Sequence, residues 1–364
     1  MPTLFDSLTL GELTLPNRVA MAALTRSRAD AHGVPGELNA TYYAQRAGMG
    51  LIITEGTNIS PRSNAFERAP GLWTQDQVEG WRKVTDAVHQ AGGRIFAQLW
   101  HSGRASAAGL LEGQPPLSPS GVNDDLSQLG VYGLLANGHY VPLLATPSKA
   151  MSLEEIRDTV AEYRTAAANA RDAGFDGVEI HAANGYLPHQ FLSPTTNQRT
   201  DAYGGSLDNR LRFLREVFEA IADELPPGRI GVRVSPYALY NNTRDPNPAE
   251  TYAAVAAMLD SLQAAYLHFA DMNGWFGAPD LDKILAVLRP NFGGVLIANG
   301  GIDSGQAAAL VQRGDVQMVA FGRFAMANPD LVERLQRGVP LDAVRSTGWY
   351  HGGAVDYTDY ACAT

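Results

Sequence analysis

Eight short apolar runs, each followed by a stretch of helical periodicity, limit most strongly what this chain can fold into. The runs are Val19–Ala22, Gly50–Glu55, Arg94–Trp100, Asp176–His181, Ile230–Ser235, Ala265–Ala270, Gly294–Asn299 and Gln317–Gly322. Several are nearly unbroken in Val, Ile, Leu and Ala, the pattern of parallel strands covered on both faces. The intervening segments predict helices over Leu38–Ala47, Gln75–Ala91, Ser152–Ala173, Leu207–Leu225, Ala249–Gln263, Leu281–Leu288, Ser304–Arg313 and Pro329–Arg337. Ser152 and Glu155 make a capping box, and Gly174 follows a helix end. Eight strand–helix pairs predict an α/β fold, a single (β/α)8 TIM barrel spanning residues 1–364 as one domain. A doubly wound sheet fits less well, because no Gly-x-Gly-x-x-Gly follows a strand. Two segments break the rhythm. Residues 102–150, after the third strand, are rich in Gly, Pro and Ser and predict a lid or hairpin over the barrel mouth. The aromatic, Gly-rich tail 346–364 predicts a cap packed back on the barrel, or a segment that binds a partner.

Charge and cysteine usage narrow the partners. Asp plus Glu is 38 against 28 Lys plus Arg, a net charge of −10, and no basic run exists, so nucleic acid is not an expected partner. No stretch approaches about 18 apolar residues, so no membrane span is expected. Met1–Ser7 has neither a basic region nor an apolar core, so it does not read as a signal peptide, and a cytoplasmic protein is the default. The single cysteine, Cys362, excludes an internal disulfide and a cysteine-ligated cluster. No metal site is expected, since the histidines are scattered. Lys83, Lys149 and Lys283, the three lysines, fall on helices or in the long loop. None can serve as a Schiff-base lysine on an inward strand position.

In such a barrel the chemistry sits at the C-terminal strand ends. Strand three ends in Gln98-Leu-Trp100, strand four in Glu179-Ile-His181 followed by Asn184 and Tyr186, strand seven in Asn299-Gly300-Gly301, and strand eight in Gly322-Arg323. Glycines after strands seven and eight, with Arg323, suit an anion such as phosphate; they could equally be turn glycines. Arg233 lies inside strand five, where a cation is costly unless paired. Its partner is either a structural acid such as Glu179 or an anionic ligand. His181 and Asn184, three apart across a turn, can both donate to one oxygen and polarise it. Tyr186 offers a weak acid for a proton delivered late to carbon. Each alone could be ordinary packing; together at one strand end they point to a site.

These residues carry a resemblance to the Old Yellow Enzyme family of FMN-dependent ene-reductases. It runs nearly end to end, through Leu15-Pro-Asn-Arg18, Ala69-Pro-Gly71, Gln98-Leu-Trp-His-Ser-Gly-Arg104, His181-Ala-Ala-Asn-Gly-Tyr186, His189-Gln-Phe-Leu-Ser-Pro194, Arg199-Thr-Asp-Ala-Tyr-Gly-Gly205 and Asn209-Arg210. The chain looks most like the bacterial branch of N-ethylmaleimide and pentaerythritol tetranitrate reductases. The resemblance implies tightly bound, non-covalent FMN. Thr25 would bind flavin O4, Gln98 the pyrimidine edge, and Arg233 the N1/O2 side; Gly56 and Ala23 would lie close to the ring. Gly301, Gly322 and Arg323 would hold the phosphate, with Asn299 and Gly300 beside them. His181 would touch both cofactor and substrate. His181 and Asn184 would bind the substrate oxygen, and Tyr186 would donate the proton. Phe66, Trp100, Trp275 and Tyr350 would wall the substrate channel. NADPH, or NADH, would reduce the flavin, and an enone, maleimide or nitroalkene would then take hydride from flavin N5 at Cβ and a proton from Tyr186 at Cα. Nitrate esters and nitroaromatics are further candidates. A monomer or homodimer is expected. Two departures stand out: Asn184 where the nitrate-ester reductases mostly carry a second histidine, and Phe66 where they carry a tyrosine. The larger dienoyl-CoA reductase type is disfavoured by one cysteine and by length. A flavin-binding sensor without turnover would have no use for His181, Asn184 and Tyr186.

Overall fold

The structure, a computed structural model, describes residues 1–272 and 279–363. Eight parallel strands close into a barrel: β1 Val19–Met21, β2 Leu51–Ile53, β3 Ile95–Trp100, β4 Gly177–Ala182, β5 Ile230–Val234, β6 Tyr266–Ala270, β7 Val295–Asn299 and β8 Met318–Phe321. Pairing runs in sequence order. It closes through Phe321 beside Met21 from β8 to β1, and Glu179 beside Gln98 joins β3 to β4. All eight expected strands are present, each shorter than or shifted from its expected span by no more than two residues at either end. The surrounding helices begin with α1 Glu37–Ala44, α2 Gln75–Gln90 and α3 Leu153–Asp172, followed by α4 Leu207–Ala222, α5 Pro248–Ser261, α6 Leu281–Leu288, α7 Ser304–Arg313 and α8 Leu331–Arg337. The Ser152 hydroxyl accepts from the Glu155 N–H and the Glu155 carboxylate accepts from the Ser152 N–H, closing the expected capping box.

The two faces of the strands explain their near-continuous apolar character. Val178, Ile180, Val232, Leu267, Phe269, Leu296 and Val319 pack outward against the helices. Phe96, Tyr266, Ile297, Met318 and Leu51 fill the lower barrel interior. An antiparallel hairpin of Leu8–Leu10 and Leu13–Leu15 plugs the bottom, burying Leu10 and Leu15 against that layer. Above it the inward positions turn polar: Gln98, Glu179, Arg233 and His268 are all buried. A barrel interior is normally a packed apolar core, so this polar upper layer locates the site.

Gly231 marks how tightly the lower layer fits. A Cβ there would lie 2.1 Å from the Tyr266 ring. Gly231→Ala is therefore expected to destabilise the fold by about 1–3 kcal/mol, the usual cost of overpacking. Denaturant unfolding with an unchanged slope measures it.

The insertion is more structured than a loop. It carries a hairpin, Val131–Leu134 with Tyr140–Leu143. Tyr132 and Tyr140 stack on Phe66 and on Tyr350 of the tail, with ring centroids 5.0–6.4 Å apart. The tail is tied to the barrel by Arg26, whose guanidinium donates to the Trp349 and Asp356 carbonyls. Hairpin and tail thus cover the mouth at the C-terminal strand ends.

Candidate active site

The end of β4 is built by its own downstream sequence. Asn184 adopts a left-handed φ of 58°, a conformation asparagine tolerates better than most residues. Its N–H donates to Ser235 Oγ at 2.8 Å and its carbonyl accepts from Asn241 Nδ2 at 2.9 Å. Gly185 follows at φ 71°, where a Cβ would strike Asn241 and the Tyr240 carbonyl at 2.6 Å. The Gly185 N–H donates to His189 Nδ1 at 2.9 Å, and Gln190 Nε2 donates to the Gly185 carbonyl at 2.7 Å. His189 and Gln190 belong to a short helix, Leu187–Leu192, which the sequence reading missed. Its function is legible here: it locks the turn that aims Asn184 and Tyr186.

His181 is buried, and its Nδ1 accepts from the Ala183 N–H at 3.4 Å, which assigns the ring proton to Nε2. Burial, reinforced by the charge of Arg233, pushes its pKa well below the ordinary histidine value. The ring is a neutral donor. Tyr186 packs edge-on to His181 at 5.0 Å and to Trp100 at 5.1 Å. Burial, with Tyr240, Tyr350 and Tyr132 nearby, pushes its phenol well above 10. Its proton therefore stays in place at neutral pH and leaves only to a strong base.

Beneath this trio lie the charged groups. Gln98 Nε2 donates to Glu179 Oε1 at 2.7 Å, and Glu179 Oε2 meets His268 Nδ1 at 2.8 Å. The Arg233 guanidinium reaches the Ala23 carbonyl at 3.4 Å and Asn299 Oδ1 at 3.1 Å, while its buried Nε finds no partner. Burial lowers the Arg233 pKa and Glu179 raises it again; an arginine keeps its charge in any case. The structural acid Glu179 is not in a direct ion pair with Arg233 but acts on it through space.

These groups open into one cavity of about 650 Å³, within the usual range for small-molecule sites. Its wall includes Ala23 and Thr25 after β1, Gly56 after β2, and Gln98 and Trp100 on β3. His181, Asn184 and Tyr186 come from β4 and its turn, Arg233 from β5, and Phe66 from the loop before α2. Asn299, Gly300 and Gly301 follow from β7, Gly322 and Arg323 from β8, and Tyr350 from the tail. Every candidate site residue named from the sequence is thus on this cavity except Trp275, which lies outside the described residues. The structure adds Tyr240, Ala343, Val344 and Trp349. Sequence reasoning missed them because they come from connections with no periodicity to read. Among the described residues no group of His, Cys, Asp and Glu could hold a metal ion, and no helix is long and apolar enough to cross a membrane.

Comparison with known proteins agrees with this geometry. Residues 3–342 match the model of the NADH:flavin oxidoreductase / NADH oxidase family. A flavin oxidoreductase of Emericella nidulans is 37% identical, covering 99% of this chain and 97% of its own. A probable flavin mononucleotide-dependent alkene reductase of Leishmania infantum is 40% identical over 97% of this chain and 95% of its own. Among solved structures, morphinone reductase in complex with tetrahydroNAD superposes with a TM-score of 0.94 at 42% identity, covering all of this chain and 98% of that one. The old yellow enzyme homologue from Zymomonas mobilis gives 0.93 at 39% identity with complete coverage of both. The chain therefore belongs to the NADH:flavin oxidoreductase / NADH oxidase family, in its Old Yellow Enzyme group, and is an FMN-dependent oxidoreductase of the ene-reductase kind.

Proposed function

We propose that residues 1–364 form one FMN-binding unit that reduces the activated C=C bond of enones, maleimides and nitroalkenes, with NADPH or NADH as donor. The observation that carries this reading is the convergence of a neutral His181, Asn184 and a protonated Tyr186 on the cavity that also receives Arg233 and Gln98. The residues fit the flavin. A buried guanidinium with an unpartnered Nε calls for an acceptor in the cavity, and Gln98 has one amide N–H engaged by Glu179, leaving its carbonyl and second N–H for a mixed donor–acceptor edge. Thr25, Gln98 and Arg233 would hold the ring system, Gly56 and Ala23 would flank it, and Asn299, Gly300, Gly301, Gly322 and Arg323 would hold the phosphate end.

When bound, FMN supplies hydride chemistry, accepting hydride from a reduced nicotinamide and passing it to an organic acceptor. The chain's own residues do the rest. His181 Nε2–H and the Asn184 amide bind the carbonyl or nitro oxygen, drawing charge onto it as the β-carbon is attacked. For an enone or maleimide, Tyr186 then delivers its phenolic proton to the α-carbon of the enolate, which is basic enough to take it despite the raised pKa. Trp100, Phe66 and Tyr350 wall the space above, where nicotinamide and alkene take turns; Trp275 joins them in this reading. Nitrate esters and nitroaromatics present the same oxygen to the same pair. We read the protein as cytoplasmic and as a monomer or homodimer.

The pKa directions fix the pH behaviour. The depressed His181 pKa keeps the ring neutral at every pH above that depressed value, and the raised Tyr186 pKa keeps the phenol protonated at every pH below its own. Alkene reduction, followed alone after the flavin has been reduced, is therefore expected to vary less than about threefold between about pH 6 and 9, because neither group titrates there. A sigmoidal step in that window assigns one of them a different protonation state.

Anaerobic absorbance tests the whole reading. The purified protein should be yellow, bleach with NADH or NADPH, and regain its colour on addition of 2-cyclohexenone. Bleaching without recovery discards the alkene substrate; a colourless protein that FMN cannot reconstitute discards the cofactor site.

A further inference from the structure

The deepest charged group in the barrel is not accounted for by substrate or cofactor contact. Glu179 is fully buried on β4, one inward position below His181. It is held on both oxygens: Oε1 accepts from Gln98 Nε2 at 2.7 Å on β3, and Oε2 meets His268 Nδ1 at 2.8 Å on β6. The strand register explains the meeting. Glu179 lies beside Gln98 across β3–β4, and Arg233 lies beside His268 across β5–β6. His268 Nε2, the far side of that ring, is buried with no partner. A carboxylate this deep costs several kcal/mol in lost hydration unless its surroundings compensate. An apolar residue would fill the space at no such cost, as Phe96 does one layer below.

We propose that Glu179, clamped by His268, is a positioning residue for the cofactor. It fixes which way the Gln98 amide faces, and it supplies the buried negative charge against which Arg233 is balanced. The first effect follows from donor chemistry. A carboxylate only accepts, so the Gln98 nitrogen must face Glu179, and a flipped amide would set oxygen against oxygen. The carbonyl and remaining N–H are then presented to the cavity in one fixed order. The second follows from charge. Burial alone would push the Glu179 carboxyl up, but His268, Arg233 and Gln98 outweigh it and hold the group ionised. Burial lowers the His268 pKa, with Glu179 opposing that shift. The Glu179 charge thus offsets a guanidinium that would otherwise stand uncompensated. A reduced flavin is more negative than an oxidised one, so Glu179 opposes the stabilisation that Arg233 gives and lowers the reduction potential.

The inference rests on FMN lying over Gln98 and Arg233, and the measurement separates the two claims. The midpoint potential of the bound flavin is read by equilibration with a reference dye, and flavin content is read from absorbance. Glu179→Gln is nearly isosteric: it removes the charge and leaves an amide oxygen that can still accept from Gln98 Nε2. It is expected to shift the equilibrium at least tenfold toward reduced flavin, about 30 mV upward for a two-electron couple. His268→Gln keeps a neutral donor to Glu179 and is expected to leave the potential within about twofold of wild type. An unchanged or lowered potential in Glu179→Gln, with flavin still bound, overturns the proposal and leaves the FMN site standing. Equal rises in both variants also overturn it, since loosened packing would then account for the shift. Should Glu179→Gln retain no flavin, His268→Lys places a cation against the same carboxylate. The same upward shift supports the proposal and its absence refutes it. A wild-type protein that binds no FMN refutes the site itself, independently of Glu179.

Discussion

Tyr186→Phe should slow alkene reduction by about 100-fold or more while leaving flavin reduction by the nicotinamide at the wild-type rate. Positioned proton transfer contributes about 10²–10⁴ to a rate, and this substitution removes only the hydroxyl. The ring that stacks edge-on against Trp100 and His181 remains, so cavity shape and the approach of the nicotinamide are retained. Flavin reduction needs hydride alone and no proton from position 186. Stopped-flow absorbance reads the two half-reactions separately in one protein. Equal loss in both would assign Tyr186 to binding or packing. Loss in neither would mean that water or another group protonates the α-carbon. Tyr240, whose phenol is held above its ordinary value by burial and by Tyr132 and Tyr350, is the neighbouring candidate on the same cavity. The raised pKa of Tyr186 does not argue against the role. An enolate carbon is a far stronger base than phenolate, so the transfer stays downhill, and a phenol that cannot ionise at neutral pH is always loaded.

The barrel was legible because its information is local. Each strand announces itself as a short run apolar on both faces, and each helix by its period; the eight strands follow in order with parallel neighbours. Two local signals were passed over. Leu8-Thr-Leu followed by Gly11 and Leu13-Thr-Leu alternates with period two and forms the hairpin that plugs the barrel floor. Gly322-Arg323 suits an anion site before a helix N-terminus, but the helix it opens is a short extra one, Arg323–Ala327, ahead of the expected Pro329–Arg337. The site was legible for a different reason. Polar residues at inward strand positions are conspicuous in a barrel that should be packed with Val and Ile, and the run from 181 to 210 is compositionally unusual. The places of Tyr240, Trp349 and the lid tyrosines Tyr132 and Tyr140 around the cavity are not legible in the sequence. Their roles depend on where long irregular connections come to rest, and side-chain stacking between the insertion, Phe66 and the tail decides that. No period encodes it.

His181→Ala should cost about 10²–10³ in alkene turnover, the usual effect of deleting one donor from a site that stabilises a developing oxyanion. The same variant should abolish the long-wavelength charge-transfer band that a bound phenol gives, because a phenolate oxygen presents the same charge to the same donors. The geometry supplies the reason for a large effect. His181 is buried, its ring proton is assigned to Nε2 by the Ala183 N–H at Nδ1, and Arg233 helps to keep it neutral. A donor fixed in this way loses little orientational freedom when the oxygen arrives. Asn184 is fixed through its backbone, by Ser235 and Asn241, rather than through its side chain, whose Oδ1 has no partner. The two donors are therefore unequal: Asn184→Ala should cost less than His181→Ala. Because both address one oxygen, the double variant should fall short of the sum of the single losses. His181→Asn restores a donor near the same point and should recover part of the turnover and part of the phenol band. If His181→Asn and His181→Ala are equally impaired while both retain flavin, the ring acts through its packing against Tyr186 rather than through its proton. The oxygen site would then rest on Asn184 alone.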